Sequence, residues 1–238
     1  DYRSQASYLR ETFRRFLRKL DAGGLTGGGV ADIGCGLGYL LEEASPFFRV
    51  RMGTELCREA AKAVAETCDG VVWGGAAEMA ATGNRFRLVV SVGVLEHIYE
   101  PVSFLKECGR LAVDDGAVVL VTPDMQGPWR RLLGKRWPSL KLPEHIAFYD
   151  RETLADLGTR AGMVLEKVLP FHQVFPLGLV LKRLGIRGIP SVRWGNIPMP
   201  LPNVMMAGVF KKTRSGSEKP TDREGRDGRP RQSPSEQE

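Results

Sequence analysis

The stretch that decides the fold reads Val30-Ala31-Asp32-Ile33-Gly34-Cys35-Gly36-Leu37-Gly38-Tyr39-Leu40-Leu41. A short apolar strand ends near an acid, glycine then recurs at alternate positions, and a helix begins. Glycine lets the backbone approach a ligand closely, and a helix N-terminus adds free N–H groups. The spacing departs from the dinucleotide fingerprint Gly-x-Gly-x-x-Gly, and a carboxylate beside the loop does not favour a pyrophosphate. The stretch therefore indicates either a plain strand-to-helix turn or, in better agreement with Asp32, a site for a cationic ligand.

A second acid, Glu55, follows the next predicted strand. A carboxylate about 20 residues beyond the glycine loop, at the tip of the second strand, accepts hydrogen bonds from both hydroxyls of a ribose. An acid at the start of a helix is also stabilised by the helix dipole. The two reasons are compatible, and the spacing favours the ribose.

Apolar runs alternate with helical stretches on both sides of these acids. The predicted strands span 30–33, 50–53, 71–73, 88–92, 117–122, 164–169 and 204–211, and the predicted helices 8–20, 39–44, 58–66, 101–111 and 150–161. Parallel strands covered on both faces are apolar throughout, and their crossovers are right-handed. The pattern predicts an α/β fold: a Rossmann-like, doubly wound, seven-stranded, mostly parallel sheet with helices on both faces and an antiparallel edge strand.

Chain length, cysteine spacing, net charge and the composition of the C-terminal residues each limit what kind of protein this can be. The chain has 238 residues, enough for one α/β domain. The four cysteines follow no zinc-ligand spacing, so we predict reduced thiols in a cytoplasmic protein and no metal site. The net charge is +6, of which residues 211–238 hold +2; the remaining +4 is mild and predicts no nucleic-acid partner. Residues 213–238 contain no large apolar side chain, which predicts a disordered tail.

Four motifs in order resemble the class I S-adenosylmethionine-dependent methyltransferases, in particular the small-molecule branch that includes ubiquinone-biosynthesis-like enzymes. The motifs are the glycine loop 32–38, the ribose acid Glu55, the fourth-strand stretch 86–98 with Leu95-Glu96-His97, and the helix–glycine–strand stretch 111–123. The segment 149–162 also resembles the family, and the likeness covers roughly residues 30–211. Four ordered motifs are far more specific than one glycine loop.

The resemblance implies S-adenosylmethionine as cofactor and a set of contacts to it. The implied cofactor-binding residues are Asp32, Gly34, Cys35, Gly36, Gly38, Glu55, Leu56, Ala77, Glu78, Ser91, Val92 and Gly93. Two positions depart from the family. The acid that usually meets the adenine falls at Ala76, where Glu78 or a backbone group would substitute, and Arg87 replaces the acid that usually follows Phe86.

The implied reaction moves a methyl group to a small-molecule acceptor, which we expect to be a hydroxyl, by in-line displacement. A general base would assist, and the candidates are His145 and His97. His97 could instead brace the loop after the fourth strand, and His172 is interpreted as structural. The alternatives are a protein or nucleic-acid methyltransferase, or a non-catalytic module that binds S-adenosylmethionine.

The resemblance also suggests how the chain is organised. Residues 1–24 form an amphipathic helix that is a lid or a packing element, and residues 25–212 form the methyltransferase domain. Within it, 123–148 would cap the acceptor, and 171–202 is a Gly/Pro-rich insertion. Aromatic and basic residues in the cap favour an apolar or anionic acceptor, or else a solvated loop. The first helix could also make peripheral membrane contact. The oligomeric state is not predicted.

Overall fold

The computed structural model describes residues 5–183 and 196–213. Within these residues, seven strands form one sheet in the order β3-β2-β1-β4-β5-β7-β6. The strands are β1 (Gly29–Ile33), β2 (Val50–Glu55), β3 (Gly70–Trp73), β4 (Phe86–Val92), β5 (Ala112–Pro123), β6 (Met163–Pro176) and β7 (Pro198–Lys212). The helices are α1 (Ala6–Ala22), α2 (Tyr39–Glu43), α3 (Arg58–Ala65), α4 (Ala76–Ala81), α5 (Pro101–Leu111), α6 (Pro128–Leu133), α7 (Arg151–Ala161) and α8 (Leu177–Arg183).

The predicted Rossmann-like sheet is confirmed. Strands β1 to β5 pair in parallel, and β7 runs antiparallel between β5 and the edge strand β6. After β3 the chain returns to the other side of β1, so the strand order reverses between β1 and β4. Ligands of doubly wound sheets bind at the carboxyl ends of the strands beside such a switch point.

Alternate side chains of the strands build a core on each face of the sheet. Val30, Val90 and Val119 are buried beneath α1 and α2 on one face. Ala31 and Val89 are buried beneath α4, α5 and α7 on the other. Successive residues of a strand point to opposite faces, so a run that is apolar throughout fills both cores. These two cores hold the strand tips in fixed positions.

The strands β6 and β7 are longer than the sequence predicts. Their antiparallel pairing continues from Phe171↔Met205 to Pro176↔Pro198, within the predicted Gly/Pro-rich insertion. Proline is tolerated in strands at a sheet edge, where its missing N–H does not break the ladder. Only the part of the insertion at 184–195 lies outside the described residues, as does the predicted tail from residue 214 onward.

The helix α1 packs on the domain. Its buried face includes Phe16, Leu17 and Leu20, and the Oγ1 atom of Thr12 accepts a 2.8 Å hydrogen bond from the backbone N–H of Val174. Its other face forms ion pairs with α2, in which Arg10 and Arg14 meet Glu42 and Glu43. In the described part of the chain, no helix has both the length and the apolar character needed to cross a membrane.

Candidate active site

The glycine loop lies at the carboxyl end of β1 and uses its glycines for two purposes. Gly34 has φ +79°, and a Cβ atom there would lie 2.7 Å from a methyl group of Val94. The absence of a side chain at Gly34 therefore allows the loop to pack against the turn after β4. Gly36 has φ +56°, and no atom lies within 4 Å of a Cβ built there. The backbone at Gly36 therefore faces open space that a ligand can enter.

Asp32 lies on β1, two residues before Gly34, and is only 3% exposed. Burial, together with the charge of Glu55, raises the pKa of this carboxyl to about 7. Burial disfavours a charged carboxylate unless a cation compensates it. Among residues 5–183 and 196–213, no basic side chain forms an ion pair with Asp32. The site therefore favours a cationic ligand, which would restore the charge of this carboxylate.

Glu55 ends β2 and is held by the backbone on both sides. Its Oε2 accepts a 2.9 Å hydrogen bond from the N–H of Gly36, and its Oε1 accepts one of 2.8 Å from the N–H of Cys57. A carboxylate has about four acceptor sites. Two backbone bonds therefore fix the carboxylate and leave capacity for the two hydroxyls of a ribose.

One cavity of about 1340 Å³ joins this loop to the rest of the site. It passes the tip of β4 and reaches the segment 123–148, and residues of α1 and of the outer part of β6 and β7 also line it. Its lining includes the predicted cofactor residues Asp32, Gly34, Cys35, Gly36, Glu55, Val92 and Gly93, and both predicted bases, His97 and His145. The glycine loop and the two histidines therefore line the same cavity.

The two histidines meet although 47 residues separate them in the chain. Their rings lie edge to face, with centroids 4.8 Å apart. The Nδ1 atom of His97 is 2.7 Å from the backbone carbonyl oxygen of Glu144, so it carries the proton and donates. His145 is 6% exposed, and its buried Nδ1 has no hydrogen-bond partner. Burial and the nearby His97 lower the pKa of His145, so its neutral form is favoured.

Comparison of the chain with models of known protein families identifies its family. A family model described as a methyltransferase domain matches residues 2–168. The chain belongs to this methyltransferase-domain family. The family's methyl donor is S-adenosylmethionine, and the chain is a class I, S-adenosylmethionine-dependent methyltransferase, as the motifs predict.

Solved methyltransferase structures share the fold. An S-adenosylmethionine-dependent methyltransferase from Thermotoga maritima is 16% identical with a TM-score of 0.59, and the alignment covers 89% of this chain and 93% of that one. Magnesium protoporphyrin IX methyltransferase from Synechocystis, with bound S-adenosylmethionine, is 13% identical with a TM-score of 0.53 over 87% of this chain and 81% of that one. No curated protein matches the chain. At these identities the likeness shows the fold.

The cavity of this methyltransferase fits its donor at the amino-acid and sugar ends. Buried Asp32 suits the α-ammonium group, and Glu55 suits the ribose hydroxyls. The adenine end is built differently. Ala76 is buried in the core, and the carboxylate of Glu78 accepts a 2.7 Å hydrogen bond from the N–H of Gly75, which caps α4. Neither side chain lines the cavity.

Four other predicted cofactor residues also lie outside the cavity lining. The hydroxyl of Ser91 donates a 2.8 Å hydrogen bond to the carbonyl oxygen of Ile33, behind the loop. Ala77 is exposed on α4, Leu56 is exposed after β2, and Gly38 precedes α2. The cofactor contacts predicted for these four residues therefore stay predictions, whereas the seven residues named above line the cavity.

Two further residues are not identified from the sequence, one exposed next to Glu55 and outside the cavity lining, the other within the lining. Trp73, 60% exposed at the tip of β3, donates a 2.9 Å hydrogen bond from its Nε1 to the carbonyl oxygen of Leu56, and Arg58 stacks over its ring at 5.2 Å. Trp73 is the register partner of Glu55, and an aromatic residue at a strand tip beside the ribose acid is the signal that marks it. The second feature is Glu96, a buried acid that lines the cavity next to both histidines.

Proposed function

We propose that this methyltransferase methylates a hydroxyl oxygen of a small molecule, with His97 and His145 at the reacting oxygen. The observation that carries the proposal is the single cavity, which joins the glycine loop and its two acids to the histidine pair. S-adenosylmethionine supplies, when bound, a methyl group on a sulfonium from which it transfers readily. The chain's own task is to align the two reactants and exclude water, effects that contribute several kcal/mol.

Two carboxylates are proposed to bind the methyl donor at its end of the cavity. Asp32 would ionise as it meets the α-ammonium group, because a cation within hydrogen-bond distance offsets the cost of burying its charge. Glu55 would accept both ribose hydroxyls while its two backbone bonds hold it still. Trp73 and Leu56, which are exposed beyond the tips of β3 and β2, are proposed to offer apolar contact to the adenine in place of the missing acid.

The acceptor end is proposed to take an apolar molecule with an anionic group. Phe13, Phe175 and Leu201 give it apolar walls, and Arg136 and Lys141 bring positive charge to the same space. Guanidinium and ammonium groups bind carboxylates and phosphates through charge-assisted hydrogen bonds. A small-molecule acceptor also agrees with the relative that methylates magnesium protoporphyrin IX.

The histidine pair is proposed to act on the acceptor's proton. Both rings line the cavity, and the backbone bond to His97 Nδ1 leaves its Nε2 with a free lone pair. His172 lies elsewhere, where its Nδ1 accepts a 3.1 Å hydrogen bond from the N–H of Asn203. The four cysteines are free thiols, which supports the proposed cytoplasmic location.

Two measurements test the proposal. Isothermal titration with S-adenosylmethionine should show binding by the full chain and at least tenfold weaker binding by Glu55→Ala, with Glu59→Ala on the exposed start of α3 as control. Release of S-adenosylhomocysteine, measured across a panel of aromatic alcohols and carboxylated phenols, should then identify acceptors. Loss of turnover in His145→Ala with unchanged donor binding supports the proposed role. Turnover equal to that of the unmodified chain contradicts it, and His172→Ala is the matched histidine control.

A further inference from the structure

The structure brings a third side chain to the two histidines. Glu96 and His97 lie in the 3-10 turn Leu95–His97 after β4, and His145 comes from the segment 123–148. One donor atom from each of the three side chains lies within 4.8 Å of the other two. We propose that Glu96, His97 and His145 bind a divalent transition-metal ion at the acceptor end of the cavity. The inference deepens the proposed function and rests on it for the role of the ion.

Each side chain has a donor atom free for the ion. The carbonyl oxygen of Glu144 takes the proton of His97 Nδ1, which leaves the lone pair of Nε2 unused. Metal-bound histidines commonly donate their other ring N–H to a carbonyl or carboxylate in this way. The hydroxyl of Thr122 donates a 3.0 Å hydrogen bond to Oε2 of Glu96, so Oε1 is available. A supporting contact therefore orients two of the three proposed ligands.

His145 provides independent evidence of a missing partner. Its Nδ1 is buried and makes no hydrogen bond in the structure. A buried polar atom without a partner has lost its hydrogen bonds to water and gained none in return, so such atoms are rare in folded proteins. Backbone hydrogen bonds hold the segment that carries His145 against the turn after β4. The N–H groups of Ile146 and Ala147 both donate to the carbonyl oxygen of Glu96, at 2.9 and 3.2 Å. These bonds fix His145 beside the other two ligands.

The donor set selects the class of metal. Two imidazole nitrogens and one carboxylate oxygen suit zinc, iron(II), cobalt and manganese, whereas magnesium and calcium prefer oxygen ligands alone. Tetrahedral zinc with bonds of 2.0–2.1 Å needs donor separations of about 3.3 Å. Small rotations of the side chains would therefore close the 4.8 Å spread. Three protein ligands leave at least one coordination position, which faces the cavity that all three residues line.

The ion would take part in the reaction by binding the acceptor's oxygen. A divalent ion lowers the pKa of a bound hydroxyl, so its proton passes to solvent before or during transfer. The oxygen then forms a bond to the methyl carbon while the bond between that carbon and sulfur breaks, and S-adenosylhomocysteine leaves. No electron is gained or lost, and the ion is not consumed. In this scheme the histidines activate the acceptor by holding the ion, and they do not take its proton directly.

Metal titration of the full chain tests the site without any acceptor. After treatment with a chelator and its removal, Co²⁺ should bind in a 1:1 ratio and give visible absorption bands of a low-symmetry site. Zn²⁺ should displace it, whereas Mg²⁺ should compete at least a hundredfold less well. Glu96→Gln, His97→Ala and His145→Ala should each weaken Co²⁺ binding at least tenfold, and His172→Ala should bind as the unmodified chain does.

Donor binding serves as the folding control and separates the two proposals. A variant that still binds S-adenosylmethionine is folded, so unchanged Co²⁺ affinity in folded His145→Ala overturns the metal site. A chain that binds S-adenosylmethionine but neither Co²⁺ nor Zn²⁺ overturns the metal site and leaves the proposed function standing. A chain that binds Co²⁺ but no S-adenosylmethionine contradicts the proposed function alone. Turnover that is unchanged by complete removal of the ion overturns its role in transfer.

Discussion

Replacing Asp32 by asparagine should make the donor-free protein more stable at alkaline pH and weaken donor binding. The pKa of this buried carboxyl is raised from 3.8 to about 7. A folded-state pKa above the unfolded value means that the folded protein keeps a proton that the unfolded chain has lost between these pH values. The free energy of unfolding therefore falls as pH rises through this window. Asparagine has nearly the same shape and does not titrate.

The magnitude follows from the shift. One pKa unit corresponds to 1.36 kcal/mol, so the full shift from 3.8 to about 7 destabilises the ionised protein by about 4 kcal/mol. At pH 5 the same linkage gives a destabilisation of about 2 kcal/mol, and at pH 8 the effect is essentially complete. The amide has its own burial cost, which does not depend on pH. The quantity to compare is therefore how much the stability difference between the unmodified chain and Asp32→Asn changes from pH 5 to pH 8, about 3 kcal/mol.

Urea unfolding followed by circular dichroism at pH 5 and pH 8 measures this difference. Asp156→Asn is the control, because that carboxylate lies on the exposed face of α7 and its replacement should give the same difference at both pH values. Donor binding by Asp32→Asn should fall tenfold to a hundredfold, since hydrogen bonds to charged groups contribute about 1.5–3 kcal/mol. If the stability difference between the unmodified chain and Asp32→Asn stays constant between pH 5 and pH 8, the argument that ionisation of buried Asp32 destabilises the fold is refuted.

Three further predictions follow from single contacts. Gly34→Ala should lower the free energy of unfolding by about 2 kcal/mol or more, because the new Cβ would lie 2.7 Å from a neighbouring methyl group at a residue with positive φ. Gly36→Ala should lower it by only about 1 kcal/mol, from backbone strain alone, and should also weaken donor binding. Equal losses of stability in the two variants would contradict this contrast. Trp73→Ala should lower affinity for S-adenosylmethionine in calorimetry with a change in melting temperature under about 2 °C, since its side chain is 60% exposed; unchanged affinity removes it from the donor site. Thr12→Val should cost about 1–3 kcal/mol in urea unfolding, because it leaves the buried N–H of Val174 without its acceptor; a smaller loss would indicate that α1 is loosely attached.

Local sequence was sufficient for the features that depend on neighbours in the chain. The strand–glycine–helix order of the loop and the acid at the tip of β2 are short-range patterns, and both occupy the predicted elements. The predicted helix 150–161 forms as α7, where Asp150 is the N-cap and its side chain accepts a 2.9 Å hydrogen bond from the N–H of Thr153. Alternation of apolar runs and helices gave the sheet, because burial on both faces dictates it.

Contacts between distant residues were not accessible in the same way. Nothing in the local pattern indicates that His97 and His145 meet, since the meeting depends on backbone bonds between segment 123–148 and the turn after β4. The sequence presents Glu96 only as part of a family signature, because its burial beside both rings is a property of the folded chain. The pairing of β6 with β7 beyond Phe171 was hidden for a related reason, because prolines normally indicate an irregular chain.

The continuity of the cavity has a consequence for inhibitor design. Its volume of about 1340 Å³ extends without a dividing wall from the backbone at Gly36 to the rings of His97 and His145. A bisubstrate molecule, in which an adenosyl amino acid is tethered to an acceptor mimic, could span both ends. Covalent tethering replaces two associations by one and so avoids a second loss of translational and rotational freedom. Such a compound would report on the acceptor's shape through the tether lengths that the protein accepts.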